Sequence, residues 1–344
     1  MRQFESEGPP RIVFGRGSEG RAREELTRLG AKRVWVCCSA RYRADAERVA
    51  AALGPLWVGT FTEAEPQVPH QTAAAAVQSA LGCEADWLLA HGGGTAIGTA
   101  KAVALELKVG VAAIPTTYAG SEMTDIWGVT RDGVKTTGRD PRVRPGLVIY
   151  DPDLLQRLRP EVATTSLFNA LAHSIEALYS ADPEIRSTAE ESAEAILSGL
   201  TDGGAGEALY GAMLAGKVLG QAPMALHHKL AHVLGGSFGT PHASTHTALL
   251  PYTTHFNLKA DPQASAALAR AFGTAHPAAF LWDLADRLGA PTSLDALGFG
   301  HNKIDEAVGL ALMKRYANPR VLTADSLRTL LSAAVDGDRP SETP

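Results

Sequence analysis

Short β-rich runs alternate with Ala-rich stretches of helical spacing as far as Tyr150, and then the alternation stops. The runs are Arg11–Phe14, Arg33–Cys38, Leu56–Gly59, Trp87–Ala90, Val111–Ile114 and Leu147–Tyr150. Between them lie Gly20–Leu29, Ala44–Leu53, Gln71–Leu81 and Ala96–Leu105. Strands that alternate with helices bury both faces of a parallel sheet, so the expected fold is α/β and doubly wound. After Asp151-Pro152 the strand signal fades. From Pro160 to Ala334 the chain reads as Ala/Leu-periodic helices cut at Gly203-Gly204, Gly235-Gly236, Pro251 and Pro291. This predicts an α/β nucleotide-binding domain over 1–155, an all-helical domain over 156–335, and a ligand cleft between them. The polar, Pro-containing tail 336–344 is expected to be disordered.

Bulk properties exclude several classes. A chain of 344 residues with a net charge of −5 carries no nucleic-acid footprint. Three cysteines, Cys37, Cys38 and Cys83, make neither a disulfide framework nor a metal knuckle, which fits a reducing, cytoplasmic setting. The N-terminus lacks the apolar core of a signal peptide, and the apolar region Ala102–Ala119 is broken by Glu106, Lys108 and Pro115. No membrane span is expected.

Two polar loops follow consecutive strands. The first, His91-Gly92-Gly93-Gly94-Thr95, lies between a strand and a helix. Its glycines let backbone approach a phosphate, and the helix start offers free N–H groups and a positive dipole end. The second is Pro115-Thr116-Thr117-Tyr118-Ala119-Gly120-Ser121-Glu122. Loops at the carboxyl ends of adjacent strands are where open α/β sheets bind ligands, so a pyrophosphate site is expected here. The GxGxxG fingerprint is absent, and a standard Rossmann site is not supported.

The segment His227–His246 holds five of the eleven histidines: His227, His228, His232, His242 and His246. His228 and His232 are four apart and share a helical face, as do Asn169 and His173. Imidazole sets bind Zn and Fe. Yet no Asp or Glu occurs between Glu207 and Asp261, while Lys217, Lys229, His255 and Lys259 all fall inside. A carboxylate-free stretch with so many cations suits an anion.

These motifs together resemble the maleylacetate reductases of the iron-containing alcohol dehydrogenase and dehydroquinate synthase-like superfamily. The carriers are GGGT at Gly92, PTTYAGSEMT at Pro115, KTTGRD at Lys135, VIYDPDL at Val148, NALAHSIEALY at Asn169, MALHHKLAHVLGGSF at Met224 and PHASTHT at Pro241. The resemblance runs from Phe14-Gly15 to Asn318-Pro319-Arg320 and implies NADH or NADPH in the cleft. It places the metal-binding Asp and three His of the metal-dependent relatives at Asn169, His173, His228 and His242. A neutral amide at the anionic position removes most of the attraction for a divalent ion, so no metal is expected. Gly98, where the metal enzymes carry an Asp, points the same way. Leu167-Phe168 and Asp125 depart from the pattern of the reductases. Ser39, with Arg41 and Arg43 nearby, leaves NADH and NADPH both open.

The implied reaction is reduction of the C=C bond of maleylacetate, a small dianionic substrate, to 3-oxoadipate in aromatic-compound degradation. His228, His232 and His242 are the expected catalytic residues. Lys229, His246, Asn169, His173, Tyr118 and Arg320 are expected at the substrate. Gly92, Gly93, Gly94, Thr95, Thr116, Thr117, Ser121 and Lys135 are expected at the cofactor. The family also implies a homodimer. Competing readings are a reductase of a related enone or keto acid, a metal-dependent alcohol dehydrogenase, and a non-catalytic nucleotide-binding protein.

Overall fold

The computed structural model describes residues 2–202 and 204–341, which form two compact units. One comprises residues up to Leu158 together with Gly204–Leu209; the other comprises Arg159 to Asp202 and Tyr210 onward.

The first unit is built on a seven-stranded sheet. Its strands are β1 (Phe4–Ser6), β2 (Arg11–Phe14), β3 (Val34–Cys37), β4 (Trp57–Phe61), β5 (Trp87–Gly92), β6 (Gly110–Pro115) and a later one, Leu147–Tyr150. Two further strands, β7 (Ile126–Arg131) and β8 (Val134–Arg139), pair only with each other, which makes Leu147–Tyr150 β9. The sheet order is β1-β2-β9-β6-β5-β3-β4, parallel except for β1. Every residue of β2, β3 and β9 is buried, which explains why these strands read as continuous apolar runs rather than alternating ones, with Arg11 of β2 the exception, buried in an ion pair with Glu25. Helices α1 (Ala22–Arg28) and α2 (Arg43–Leu53) cover one face through Leu26, Val49 and Leu53. Helices α3 (His70–Gly82) and α4 (Gly94–Leu107) cover the other through Ala76, Ala80, Ile97 and Val103. The sheet is therefore doubly wound, as the alternation predicts.

The hairpin β7–β8 and the edge strand β1 are not in the sequence reading. The hairpin turns through Asp132-Gly133, both at positive φ (51° and 76°), the two-residue turn that matches strand twist. A short helix α5 (Pro152–Leu155) follows β9 and is capped by the Asp151 carboxylate.

Among the described residues of the second unit no strand occurs. It contains α6 (Pro160–Ala177), α7 (Pro183–Asp202), most of α8 (Ala205–Gln221), α9 (Leu226–Phe238), α10 (His242–Leu258) and four further helices ending at Asp336. Proline in the first turn opens α6, where its missing N–H has no helical partner to lose. A core of Leu226, Leu230, Leu234, Leu249, Tyr252 and Leu331 joins α9 and α10 to the last helix.

Two expected breaks do not occur. Gly235-Gly236 lies inside α9, which runs on to a left-handed cap at Gly239 (φ 73°). Pro251 lies inside α10, where it removes one backbone hydrogen bond while helices packed on both sides keep the axis continuous. The tail expected to be disordered is held at its start: Asp336 ends the last helix, and Arg339 pairs with Asp283 at 2.7 Å. Residues 342–344 of that tail lie outside the described residues. Among the described residues no helix is long and apolar enough to cross a membrane.

Candidate active site

In the first unit the two polar loops sit side by side because β5 and β6 are in parallel register, His91 opposite Ile114 and Gly92 opposite Pro115. Gly93 is the N-cap of α4, and no side chain caps this helix, so its first N–H groups keep their binding capacity for a ligand. The three glycines are not equivalent. A Cβ on Gly93 would lie 2.5 Å from Thr117 Oγ1, and one on Gly92 would lie 2.9 Å from the Ala96 Cβ. Those two make room for the neighbouring loop and for the helix itself. Gly94 is exposed, and a Cβ there would meet only Ala119 at an ordinary 3.8 Å. Of the three, Gly94 leaves its space to something other than protein.

Thr95 opens the first turn of α4, and Thr116 follows the end of β6 with a buried Oγ1 that has no hydrogen-bond partner. Ser121 starts a single 3-10 turn, and its carbonyl accepts from Lys101. Tyr118 is buried, and burial pushes its hydroxyl up to about 12, so it acts as a neutral hydroxyl. Lys135 sits on β8 and donates to Gln67 Oε1 at 3.0 Å. Beside the glycines, His91 is buried and its Nε2 lies 2.8 Å from Glu19 Oε1. The sequence reading assigns no role to that pair.

In the second unit α6, α9 and α10 bring six histidines together. Ring centroids lie 5.0 Å apart for His173–His228, 5.0 Å for His228–His246 and 4.5 Å for His242–His246. His232 lies 6.3 Å from His228 and 6.5 Å from His242. His173, His227, His228 and His246 are buried, whereas His232 and His242 are exposed.

The carboxylate-free stretch does not stay carboxylate-free in space. Glu176 of α6 is buried, and its oxygens accept from the backbone N–H of Ala225 (2.8 Å) and of His227 (2.6 Å) and from His228 Nδ1 (2.7 Å). One carboxylate thus closes the start of α9 and fixes a ring on it. With Nδ1–H given to Glu176, His228 presents Nε2, which is buried without a partner. Burial raises the pKa of Glu176, against the opposing pull of His227 and of the N–H donors. The residue is visible in the sequence as His173-x-x-Glu176, one helical turn apart on α6.

A second chain of bonds runs behind the rings. Thr253 Oγ1 meets His227 Nδ1 at 2.9 Å, and His227 Nε2 meets His246 Nδ1 at 2.8 Å. The expectation of a cationic cluster is corrected here. Burial first, and neighbouring imidazoles second, lower the pKa of His173, His228 and His246 well below the usual histidine range, and burial takes His227 down to about 3. Those four rings are neutral, so His246 can meet a substrate carboxylate only as a neutral N–H. Lys229 follows His228 on α9 and is half-buried.

Arg320 is engaged elsewhere in the second unit: its guanidinium lies 4.3 Å over the Phe256 ring and donates to the Phe256 carbonyl at 3.4 Å. Asn318 beside it ties the Leu226 N–H to Asn257.

Asn169 and His173 lie one turn apart on α6, and Asn169 Oδ1, His173 Nδ1, His228 Nε2 and His246 Nε2 are all buried without partners. This set contains no anionic donor, and the nearby carboxylate of Glu176 is committed to α9 and to His228 Nδ1. Among the described residues no three His, Cys, Asp or Glu side chains converge as metal ligands.

The sequence matches two patterns of known proteins: Iron-containing alcohol dehydrogenase over residues 9–152, and the C-terminal domain of the Fe-containing alcohol dehydrogenase family over residues 162–335. A maleylacetate reductase of Sphingobium indicum is 45% identical over 96% of this chain and 97% of its own length. That of Burkholderia cepacia is 46% identical over the same shares. The crystal structure of maleylacetate reductase from Agrobacterium tumefaciens superposes with a TM-score of 0.93 at 41% identity, covering 99% of this chain and 100% of that one. The chain belongs to the iron-containing alcohol dehydrogenase family, in its maleylacetate reductase branch.

Proposed function

We infer that the protein reduces the C=C bond of maleylacetate to 3-oxoadipate with NADH or NADPH, without a metal ion, in the degradation of aromatic compounds. The observation that carries this reading is the neutral, buried Asn169 among His173 and His228, in a chain 41–46% identical to eight maleylacetate reductases. Reduced nicotinamide supplies the hydride. It adds to the alkene carbon β to the ketone, and the alkene electrons move onto the ketone oxygen as an enolate. The carbon α to the ketone then takes a proton.

The protein's share is to hold two carboxylates, stabilise the enolate and deliver that proton. Preorganised donors do this as a Lewis acid would. We assign the enolate contact and the proton to His228, His232 and His242. The last two are exposed and able to exchange protons with solvent, while His228 is held by Glu176. Lys229 takes one substrate carboxylate, with His246, His173 and Asn169 as neutral partners. The nucleotide phosphates are assigned to Gly92–Thr95, Thr116, Thr117 and Ser121, with Lys135 nearby. The active form is assigned as a homodimer in the cytoplasm.

The test is consumption of NADH and of NADPH with maleylacetate, before and after chelation, alongside metal analysis of the purified protein. Turnover that survives chelation at well under one Fe or Zn per chain is expected. Loss of activity on chelation from a fully metal-loaded protein sinks the metal-free reading. Asn169→Asp restores an anionic ligand and should raise metal uptake.

A further inference from the structure

Helix α4 carries a group that phosphate binding does not use. Lys101 lies seven residues after Gly94 and is fully buried. Its ammonium donates to the carbonyl oxygens of Ser121 (2.6 Å), Thr124 (2.8 Å) and Ile126 (3.0 Å). The Thr124 hydroxyl lies at 3.1 Å. An ammonium has three protons, shared here among the three carbonyls and the Thr124 hydroxyl, which itself donates to the Ser121 carbonyl and accepts from the Ile126 N–H. Burial lowers the pKa of Lys101 to about 7, which shows what placing a cation here costs, and a position that only filled space would be better served by Leu or Met.

What the cation gathers is the segment between β6 and β7. Apart from the 3-10 turn Ser121–Met123 this segment has no regular structure, so few of its carbonyls find partners in a helix or sheet ladder. It begins with the threonines assigned to the nucleotide and ends in the hairpin that carries Lys135. A second tie reaches the same hairpin from the other side. Gln67 and Val68 both hold left-handed φ, 64° and 51°, a strained choice for a β-branched valine. The carbonyl of Val68 accepts from the Thr130 N–H (2.9 Å), and Gln67 Oε1 accepts from Lys135. Val68 also packs on α4 at Gly98, where an added Cβ would stand 2.9 Å from its Cγ2. Gly98 thus makes room for the Val68 side chain.

We propose that Lys101 is a positioning residue for the nucleotide: from inside α4 it sets the Ser121–Ile126 segment and the hairpin beyond it relative to the helix N-terminus. The proposal rests on the reading that Gly92–Thr95 and Thr116–Ser121 hold the nucleotide, and its test separates the two. NADH is titrated into the wild-type protein, Gly94→Val and Lys101→Met without substrate, and maleylacetate KM is then measured at saturating NADH. Lys101→Met is expected to weaken NADH binding by at least about tenfold while moving the maleylacetate KM by less than about twofold. A folded Lys101→Met protein with wild-type NADH affinity overturns the proposal, as does one whose NADH affinity and substrate KM deteriorate together. Wild-type affinity in Gly94→Val would instead overturn the loop assignment. Should Lys101→Met fail to fold, Thr124→Val removes one acceptor and keeps the lysine. It is expected to weaken NADH binding by about threefold, and unchanged binding there overturns the proposal equally.

Discussion

In the α/β unit, the groups assigned to the ligand are mainly backbone. Gly93 and Gly94 present the open end of α4, and their function is to lack side chains. In the helical unit the assigned groups are ring nitrogens, held by side chains from other helices: Glu176 behind His228, and Thr253 behind His227 and His246. The first kind of site fails when an atom is added. The second fails when an atom is removed, even one far along the chain from the ring it serves.

The largest effect is expected from taking a charge out of the second site. Glu176→Gln keeps the size of the side chain but replaces a carboxylate that receives three N–H donors. One amide oxygen cannot serve them all, and the amide nitrogen faces donors. Removing a charge-assisted bond behind a functional imidazole should lower kcat by about a hundredfold. NADH affinity should hold within about twofold, since nothing in the α/β unit changes. Equal loss of kcat and NADH affinity would show that Glu176 serves folding alone.

Adding atoms to the first site comes next. Gly94→Val should leave thermal stability near wild type and weaken NADH binding by at least about tenfold, because its side chain enters the phosphate space. Gly93→Ala should lower stability by about 1–3 kcal/mol, since its Cβ must displace Thr117. If the two variants behave alike in thermal melts and NADH titrations, the distinction between the glycines is wrong.

A smaller and more selective effect is expected at the lysine beside His228. Lys229→Ala should raise the maleylacetate KM by about tenfold and leave NADH binding alone, while Arg320→Ala, engaged with Phe256, should change KM by less than about twofold. The reverse order of KM values would place the carboxylate contact at Arg320 after all.

The same contrast explains what could be read from the chain alone. Six strands and the helices covering them announce themselves through local periodicity, and the phosphate turn is contiguous, so both were legible. The Asp132-Gly133 hairpin carried a local signal too, but β8 is exposed and polar, so the pair lacks the apolar alternation on both strands that marks a half-buried hairpin. Gly235-Gly236 and Pro251 mislead for the opposite reason: packing overrides local propensity and carries α9 and α10 past them. The histidines and Asn169 could be found by type and spacing. The neutrality of the four buried rings could not, because it comes from burial. The absence of carboxylates between Glu207 and Asp261 is true of the chain and false of the space around it, since Glu176 arrives on another helix.

That carboxylate also limits how this protein can diverge. Because Glu176 both ends the exposed backbone of α9 and aims a ring, selection cannot retune one duty without disturbing the other. Variation in substrate choice is then channelled to positions assigned to substrate contact alone: the ammonium of Lys229 and the amide of Asn169. A laboratory search for altered specificity that randomises those two and leaves α6 beyond His173 untouched should recover far more folded, active clones than one centred on position 176.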